Sequence, residues 1–447
     1  MSYPRRVRAG KGGNESPQQG DSAPTRRWSR GEILRRVPLW TLIAVGVGNL
    51  AAVVSRVLRV GSGAMIGGRV TLALDPQALR RLCSHRSVVL VTGTNGKTTT
   101  TRMIKAALAA RGPVASNDTG ANMPDGLVAA ISHDLGAPYA ALEIDERYFT
   151  RVAPSLGPDV AVLLNLSNDQ LDRFGEIRAL EQDMRRAVEQ FDRTRVIANS
   201  RDVLITSAAS VAPRQSWVAA VTASWTSESN VCPRCGSYID FDSTSAWQCD
   251  NASCGLVEPE PDWLLEGTQL RDPDSGRTHI EVAVPGEINL TNAAVAVAAT
   301  NSFGVDPASA ADSIRTVADV QGRYQTVRHG GHTIRLLLAK NPAGWAETLS
   351  IVDGTAGTVL IAINGREADG RDLSWLWDVP FEKLRGRNVI AAGESVAELA
   401  VRLTYAEVAH TTESDPVAAI STVTDDGIEL VSNYTAFNSV RRRLDIA

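Results

Sequence analysis

Short apolar runs alternate with helix-patterned segments along most of the chain. Runs of strand length lie within residues 87–92, 137–146 and 159–166, and each ends in polar residues. Strands that alternate with helices predict a parallel sheet whose carboxyl edge binds ligands. Similar runs at 333–338, 357–363 and 389–392 predict a second α/β domain near the end of the chain. Before the first run, a strand and a helix are expected from about Arg69 onward.

Residues 37–54 form a mostly apolar stretch that contains two glycines and Asn49. Its 18 residues reach the lower limit for crossing a bilayer. Asn49 and the glycines weaken that interpretation, so a helix packed on the domain is favoured over a span. Shallow contact with a membrane surface stays open as an alternative.

The first 30 residues carry seven basic and two acidic side chains among many Gly, Pro, Ser and Gln residues. This composition predicts a disordered basic tail over residues 1–35. The whole chain of 447 residues has a net charge of −4 and 43% apolar residues, which is ordinary for a globular protein of two or three domains. Without a global basic excess, nucleic-acid binding is not expected.

A glycine-rich loop follows the apolar run 87–92 and precedes a helix-patterned segment, 98–111. Its glycines let the backbone approach an anion, and the first N–H groups of the following helix are free donors. The lysine ammonium and a threonine hydroxyl have the usual positions for a phosphate chain and its magnesium ion. The predicted nucleotide-binding residues here are Gly93, Thr94, Asn95, Gly96, Lys97, Thr98 and Thr99. A plain glycine turn is the alternative.

Four of the five cysteines lie in two closely spaced pairs with the pattern Cys-x2-Cys, x13, Cys-x4-Cys. Two turns that each offer two thiolates complete a tetrahedron, which selects zinc or an iron–sulfur centre. We expect a structural zinc ribbon, inserted at about 225–260, with the ligands Cys232, Cys235, Cys249 and Cys254. A disulfide framework remains an alternative, although the chain shows no cleavable signal and a reducing cytoplasm is expected. Cys83 stands apart and reads as a buried apolar residue.

The short loop Gly93–Thr99, with its flanking strand and helix, resembles that of the Mur ligase family. These ATP-dependent enzymes activate a carboxylate as an acyl phosphate that an amine then attacks. The resemblance implies a central P-loop domain with a parallel sheet over 36–320, carrying the zinc ribbon, and a C-terminal α/β ligase domain over 321–447. It also implies ATP and Mg²⁺ as cofactors.

Further segments extend the resemblance and suggest roles for single residues. In this family a glutamate at the end of a strand is a magnesium ligand, and Glu143 corresponds to it. Thr98 is the second magnesium ligand expected in this chain. Asn292, in the segment 285–299, corresponds to an asparagine that approaches the adenine, and a capped alanine-rich core helix is the alternative reading of that segment. Arg323, in Gln-Gly-Arg-Tyr, corresponds to an arginine that reaches the phosphates.

The chain departs from the family pattern at several positions. Gln170 stands where a histidine is usual. The chain has no lysine between Lys105 and Lys340, so it lacks the carbamylated lysine of several relatives. Lys340 begins the segment Lys-Asn-Pro-Ala-Gly, which lies where these ligases often carry Asp-x-x-His-Asn-Pro, so the usual acid and histidine are replaced.

Residues 364–378 contain three aspartates and two tryptophans just after a strand. Together with the cysteine pairs, this stretch is similar to the synthetase branch of the family that amidates lipid II. That resemblance implies a separate glutaminase subunit, GatD, as partner, lipid II at the inner membrane leaflet as substrate, and an aspartate donated to the glutaminase Cys–His pair. Asp372 is favoured over Asp369 and Asp378, and a helix-capping role fits any of them.

The chain has no cysteine in a nucleophile-elbow context, so ammonia would come from a partner. Two other functions stay open at this point. One is a different Mur-type ligase that joins an amino acid to a peptide or a folate, and the other is a non-catalytic ATP-binding zinc-ribbon scaffold.

Overall fold

The computed structural model describes residues 30–57, 64–117, 120–167, 174–221, 230–242, 246–284, 286–317, 324–353 and 357–444. Most of the predicted basic tail, Arg323, Gln170 and the predicted domain boundary at 320/321 lie outside the described residues. The start of the predicted ribbon, at 225–229, lies outside them as well.

Among the described residues, four helices precede the first strand. They are α1 (Arg30–Arg36), α2 (Leu39–Val57), α3 (Ala64–Leu74) and α4 (Ala78–Cys83). The strand expected from about Arg69 is therefore wrong, because these residues belong to α3. Gly67 permits a close crossing with α2, where a Cβ would lie 3.0 Å from the Gly48 carbonyl oxygen. This helix packing outweighs the β propensity of the Val-Thr-Leu run at 70–72.

The strands before residue 280 build one large sheet and one small hairpin. They are β1 (Ser87–Thr92), β2 (Val114–Ser116), β3 (Tyr139–Glu143), β4 (Val160–Leu163), β5 (Arg195–Asn199), β6 (Gln215–Ala220), β7 (Ile239–Phe241), β8 (Trp247–Cys249), β9 (Trp263–Glu266), β10 (Gln269–Arg271) and β11 (Arg277–His279). The large sheet has the order β11-β10-β9-β6-β5-β4-β1-β3-β2. In this order the strands from β9 through β6, β5, β4, β1 and β3 to β2 pair in parallel. Strands β10 and β11 extend the β9 edge in antiparallel fashion.

Helices cover both faces of this sheet, and β1 shows why. Val88 and Leu90 belong to one buried cluster, whereas Val89 and Val91 belong to another. Alternate side chains of a strand point to opposite faces, so a continuous apolar run needs cover on both sides. The covering helices after β1 are α5 (Lys97–Ala109), α6 (Pro124–His133), α7 (Glu146–Leu156), α8 (Phe174–Glu189), α9 (Val203–Ala209), α10 (Glu287–Asn301) and α11 (Pro307–Ile314).

A second sheet follows, as the apolar runs after residue 330 predict. Its strands are β12 (Tyr324–His329), β13 (His332–Leu338), β14 (Thr358–Ala362), β15 (Val389–Ala392), β16 (His410–Glu413) and β17 (Gly427–Ser432), in the order β12-β13-β17-β14-β15-β16. Only the β12–β13 pairing is antiparallel among these described strands. The accompanying helices are α12 (Pro342–Asp353), α13 (Val396–Tyr405), α14 (Pro416–Ile420) and α15 (Tyr434–Arg443).

Candidate functional site

The phosphate-loop candidate connects the end of β1 to the start of α5, as the sequence predicts. Gly93 and Gly96 have φ values of +145° and +82°. Both values lie in the region that favours glycine, so the loop geometry explains why these two positions carry it. Gly96 also has no side chain to cap α5, which leaves the first-turn N–H groups available to an anion.

The segment after β4 fixes the backbone of this loop by hydrogen bonds. Asn165 accepts the Thr94 N–H at its carbonyl oxygen (2.9 Å) and the Asn95 N–H at its side-chain oxygen (2.8 Å). Its side-chain amide donates back to the Asn95 carbonyl at 3.0 Å, and the Ser167 N–H donates to the Thr94 hydroxyl at 3.0 Å. The segment after β4 therefore preorganises the backbone of the loop.

Lys97 is buried and donates to the Gly93 and Thr94 carbonyl oxygens. Its ammonium also lies 3.1 Å from a carboxylate oxygen of Glu146 at the start of α7. Burial raises the pKa of Glu146, and the nearby Lys97 charge opposes that rise. The Lys97 ammonium therefore lies between the loop carbonyl oxygens and the poorly solvated Glu146 carboxylate.

The second sheet supplies the opposite wall. The side-chain amides of Asn95 and Asn341 face each other, with Asn341 Nδ2 lying 3.3 Å from Asn95 Oδ1. Asn341 Oδ1 also accepts the Gly344 N–H at 2.9 Å, which caps α12. The Asn341 side chain therefore connects the start of α12 to the phosphate loop. Sequence reasoning missed Asn341, although its Asn-Pro context at the end of an apolar run is a signal.

A cleft of roughly 220 Å³ lies between these walls. Polar groups from both units line it. They include Thr94, Asn95, Gly96, Lys97, Thr99, Asp145, Glu146, Asn292, Lys340 and Asn341. Asn292 packs on the loop, because a Cβ at Gly96 would lie 2.8 Å from its Oδ1. The predicted residue Asn292 lies in the first half of α10. The structure places its side chain next to the loop.

The two predicted magnesium ligands are both buried. Thr98 is the second residue of α5, and Glu143 is the last residue of β3, opposite Val91 of β1. The residues that line the cleft include Asp145 and Glu146 rather than Glu143. A carboxylate and a threonine hydroxyl are oxygen donors of the kind that suits Mg²⁺. The magnesium role of Glu143 and Thr98 stays a prediction.

The four clustered cysteines come together at the hairpin formed by β7 and β8. We call residues 230–242 and 246–257 the cysteine hairpin. The four Sγ atoms lie within 4.8 Å of one another, with Cys232–Cys254 at 3.7 Å and Cys235–Cys249 at 3.4 Å. Thiolates about 2.3 Å from a tetrahedral zinc ion lie about 3.8 Å apart, so the donor set fits that metal.

Other contacts fix the cysteine hairpin to the end of β5 and to α9. Trp247 donates its indole N–H to the Ser200 carbonyl oxygen at 3.0 Å, and Arg234 donates to the Ser207 carbonyl oxygen at 3.0 Å. The cysteine outside the cluster, Cys83, is buried, and burial raises the pKa of its thiol to about 12. This confirms the expected apolar role of Cys83.

The three aspartates after β14 have different surroundings. Both Asp369 carboxylate oxygens accept from Thr435, which ties the short turn 367–369 to the start of α15. Asp372 is exposed and accepts the Ser374 N–H at 2.8 Å, which lowers the pKa of its carboxyl group. Asp378 is exposed at the end of the turn 374–378. Asp369 therefore has a structural role, and the other two are accessible from outside.

Comparisons with known proteins agree with this architecture. The family model of the Mur ligase middle domain matches residues 91–300, and that of the MurT ligase C-terminal domain matches residues 338–437. Together the two models match more than two thirds of the chain. The chain thus contains a Mur ligase middle domain and a MurT ligase C-terminal domain, and it is an ATP-dependent ligase of the Mur type.

Curated relatives narrow the likeness further. The chain is 29% identical over 373 residues to the lipid II isoglutaminyl synthase (glutamine-hydrolyzing) subunit MurT of Streptococcus pneumoniae, covering 77% of this chain and 83% of the relative. It is 28% identical to the same subunit of Staphylococcus aureus strain N315, covering 83% and 88%. These relatives confirm the predicted similarity to the synthetase branch of the family that amidates lipid II.

Solved structures show the same fold at lower identity. A pseudomurein peptide ligase type C from Methanothermus fervidus matches with a TM-score of 0.63 at 18% identity, covering 80% of this chain and 78% of that one. MurF from Acinetobacter baumannii matches with a TM-score of 0.61 at 16% identity, covering 85% and 80%.

Proposed function

We propose that this chain is the synthetase subunit of a lipid II isoglutaminyl synthase in peptidoglycan synthesis. It would convert the α-carboxylate of D-glutamate in the lipid II stem peptide to the amide, D-isoglutamine. The observation that carries the proposal is the cleft in which a Mur-type phosphate loop faces a MurT-type C-terminal unit across the Asn95–Asn341 pair.

The first step proposed is formation of an acyl phosphate. A carboxylate oxygen of the substrate attacks the γ-phosphorus of ATP, and ADP leaves. Lys97, the first N–H groups of α5 and a magnesium ion on Thr98 and Glu143 would stabilise the charge that moves on the transferred group. Asn292 would meet the nucleotide beside the loop, and Arg323 would reach its phosphates. To act in this way, Lys97 must exchange Glu146 for a phosphate oxygen.

The second step proposed is attack by ammonia. The nitrogen lone pair attacks the acyl carbon, inorganic phosphate leaves, and the nitrogen loses a proton to give the amide. Because water would hydrolyse the acyl phosphate, the cleft must close around it. The Asn95–Asn341 contact is well placed to hold the two walls together during this step.

The ammonia is proposed to come from a glutaminase partner of the GatD type. An aspartate that completes the partner's Cys–His pair must be accessible, and this requirement favours Asp372 or Asp378 over the tied Asp369. Asp372 stays our preferred residue, because the Ser374 N–H orients its carboxylate and keeps it ionised. The chain would work in the cytoplasm with this partner.

The cysteine hairpin is proposed to hold one structural zinc ion in a ribbon-type site. Four thiolates close the coordination shell, so no position remains for a reacting water molecule. The zinc site would stabilise the inserted ribbon, and the ligase reaction would take place at the phosphate loop.

Amidation of lipid II by the purified protein, with ATP and Mg²⁺, tests the proposal. Ammonium salt should support product formation, whereas glutamine should support it only after the partner is added. Asp372→Asn should reduce the glutamine reaction and spare the ammonium reaction, with Asp369→Asn as the matched control. No product from either nitrogen source, despite ATP binding, would contradict the amidation and favour another Mur-type substrate. No ATP turnover with any acceptor would favour a scaffold.

A further inference from the structure

One face of α2 carries large apolar side chains that the described part of the chain leaves uncovered. They recur every three or four residues and are 44–76% exposed. They are Leu39, Ile43, Val47, Leu50, Val54 and Val57. This spacing puts them on one continuous stripe along the whole helix. Trp40 flanks the stripe, and its indole N–H is held by the Leu74 carbonyl oxygen at 3.2 Å.

The opposite face of α2 is fixed to the domain. Thr41 donates to Asp75 at 2.6 Å inside the protein. Gly48 crosses α3 so closely that a Cβ would lie 2.5 Å from the Gly67 carbonyl oxygen. Small residues at such a crossing permit backbone-to-backbone packing. The helix is therefore an integral part of the fold along one side only.

By length and composition α2 could cross a bilayer, since it has 19 residues with a mean hydropathy of 1.5. A third of this stretch is buried against the protein, however. Its neighbour α3 is in turn fixed to α6 by an ion pair between Arg69 and Asp125 at 2.9 Å. Spanning a bilayer would break these contacts, whereas lying in the plane of its surface would keep all of them.

Charge at the ends of the stripe indicates what covers it. Residues 30–57 contain four arginines and a single acidic residue, Glu32, and residues 1–29 add six basic and two acidic side chains. The arginines lie at both ends of α2, at Arg35 and Arg36 and at Arg56. If two copies paired along this face, basic ends would meet basic ends in either helix direction. An anionic surface matches the pattern better.

We propose that α2 docks the protein on the surface of an anionic lipid bilayer, in the plane of the interface. The apolar stripe enters the boundary between headgroups and acyl chains, and the flanking arginines contact lipid phosphates. The proposal rests on the apolar stripe of α2 and its flanking arginines. It also agrees with the membrane-anchored substrate of the proposed reaction.

Co-sedimentation of the full-length protein with vesicles tests this docking. The vesicles contain phosphatidylcholine with about 30% phosphatidylglycerol, and they contain no substrate, so the outcome is independent of the ligase reaction. The double variant I43E/L50E should lower the bound-to-free ratio by roughly tenfold or more, because it puts charge into the apolar stripe. The matched control V401E/Y405E changes exposed apolar residues of α13 and should bind like the unchanged protein. I43A/L50A adds no charge and should give an intermediate loss.

Three results would overturn the proposal. The first is no sedimentation with anionic vesicles, or sedimentation that I43E/L50E leaves unchanged. The second is retention in the vesicles after alkaline carbonate washing, which indicates a span. The third is a concentration-dependent dimer that I43E/L50E abolishes in the absence of lipid, because a second copy would then cover the face. Circular dichroism checks that each variant is folded.

Discussion

The phosphate loop and the cysteine hairpin are both short turns with ligand-binding groups, yet the fold holds them in different ways. The loop follows β1, an inner strand of a nine-stranded sheet, and Asn165, just after the neighbouring strand β4, fixes the loop backbone by three hydrogen bonds. The cysteine hairpin has two strands of three residues each and a small buried cluster of its own. The comparison teaches that the parallel sheet preorganises the loop without its ligand, whereas the hairpin would depend on the metal ion that its four cysteines are proposed to bind.

The largest expected effect is at the loop. Lys97→Ala should lower ATP turnover by about a thousandfold, because it removes a charge that stabilises the transferred phosphoryl group. The loop backbone should stay in place, since Asn165 fixes it, but the melting temperature should fall because the buried Glu146 carboxylate loses its partner. Steady-state turnover and thermal melting check this. Lys105→Ala, on the same helix, is the matched control and should retain activity, and an equal loss in both variants would contradict the assigned role.

At the cysteine hairpin the expectation is reversed. Cys249→Ser should abolish stoichiometric zinc in the purified protein and make the hairpin sensitive to protease, because the coordination shell stays open. ATP binding at the loop should persist. Elemental analysis and limited proteolysis measure both effects. Cys83→Ala, outside the cluster, should keep its zinc. Equal zinc content in the unchanged protein and the Cys249 variant would show that this metal site is not formed.

Asn341 links the loop to the second unit, and two substitutions separate its roles. Asn341→Ala should lower turnover by about tenfold and also cost about 1 kcal/mol of stability, since α12 loses its cap. Asn341→Ser keeps a capping oxygen and should recover the stability without the turnover. Chemical denaturation and steady-state kinetics distinguish the two effects. Full activity in both variants would contradict a role for the Asn95–Asn341 contact in closing the cleft.

The smallest effect expected is the pH dependence at the base of the hairpin. Burial raises the pKa of Glu258 to about 7, and the Arg201 charge 3.3 Å away opposes the rise. The folded state therefore holds this proton more tightly than the unfolded state. Stability from this group should fall by on the order of 1 kcal/mol as the pH rises from about 4.5 to about 7.

Urea denaturation at both ends of that range measures this dependence. Glu258→Gln should flatten it, and Glu266→Gln, at an exposed glutamate, should leave it unchanged. If the stability of the unchanged protein rose with pH, and if Glu258→Gln removed that rise, the assigned sign would be wrong.

The sequence was sufficient for the local parts of this structure. The strand–loop–helix around Lys97 depends on an apolar run, two glycines and a helical pattern that are adjacent in the chain, and the cysteine cluster depends on spacing alone. The Lys97–Glu146 and Asn95–Asn341 contacts could not be predicted in this way. They join residues 49 and 246 positions apart, and only the strand order and the packing of the two units bring them together. The misassigned segment at 69–74 failed for a similar reason, because its helix depends on packing against α2.

The central claim is that this cleft activates a carboxylate of lipid II for amidation. Incubation of lipid II with the purified protein, ATP, Mg²⁺ and isotopically heavy ammonium, followed by mass spectrometry of the stem peptide, tests it most directly. We predict one heavy nitrogen at the α-carboxylate of D-glutamate, formed only when ATP is present and lost in Lys97→Ala. An unlabelled stem peptide, together with ATP hydrolysis that lipid II does not stimulate, would contradict the account.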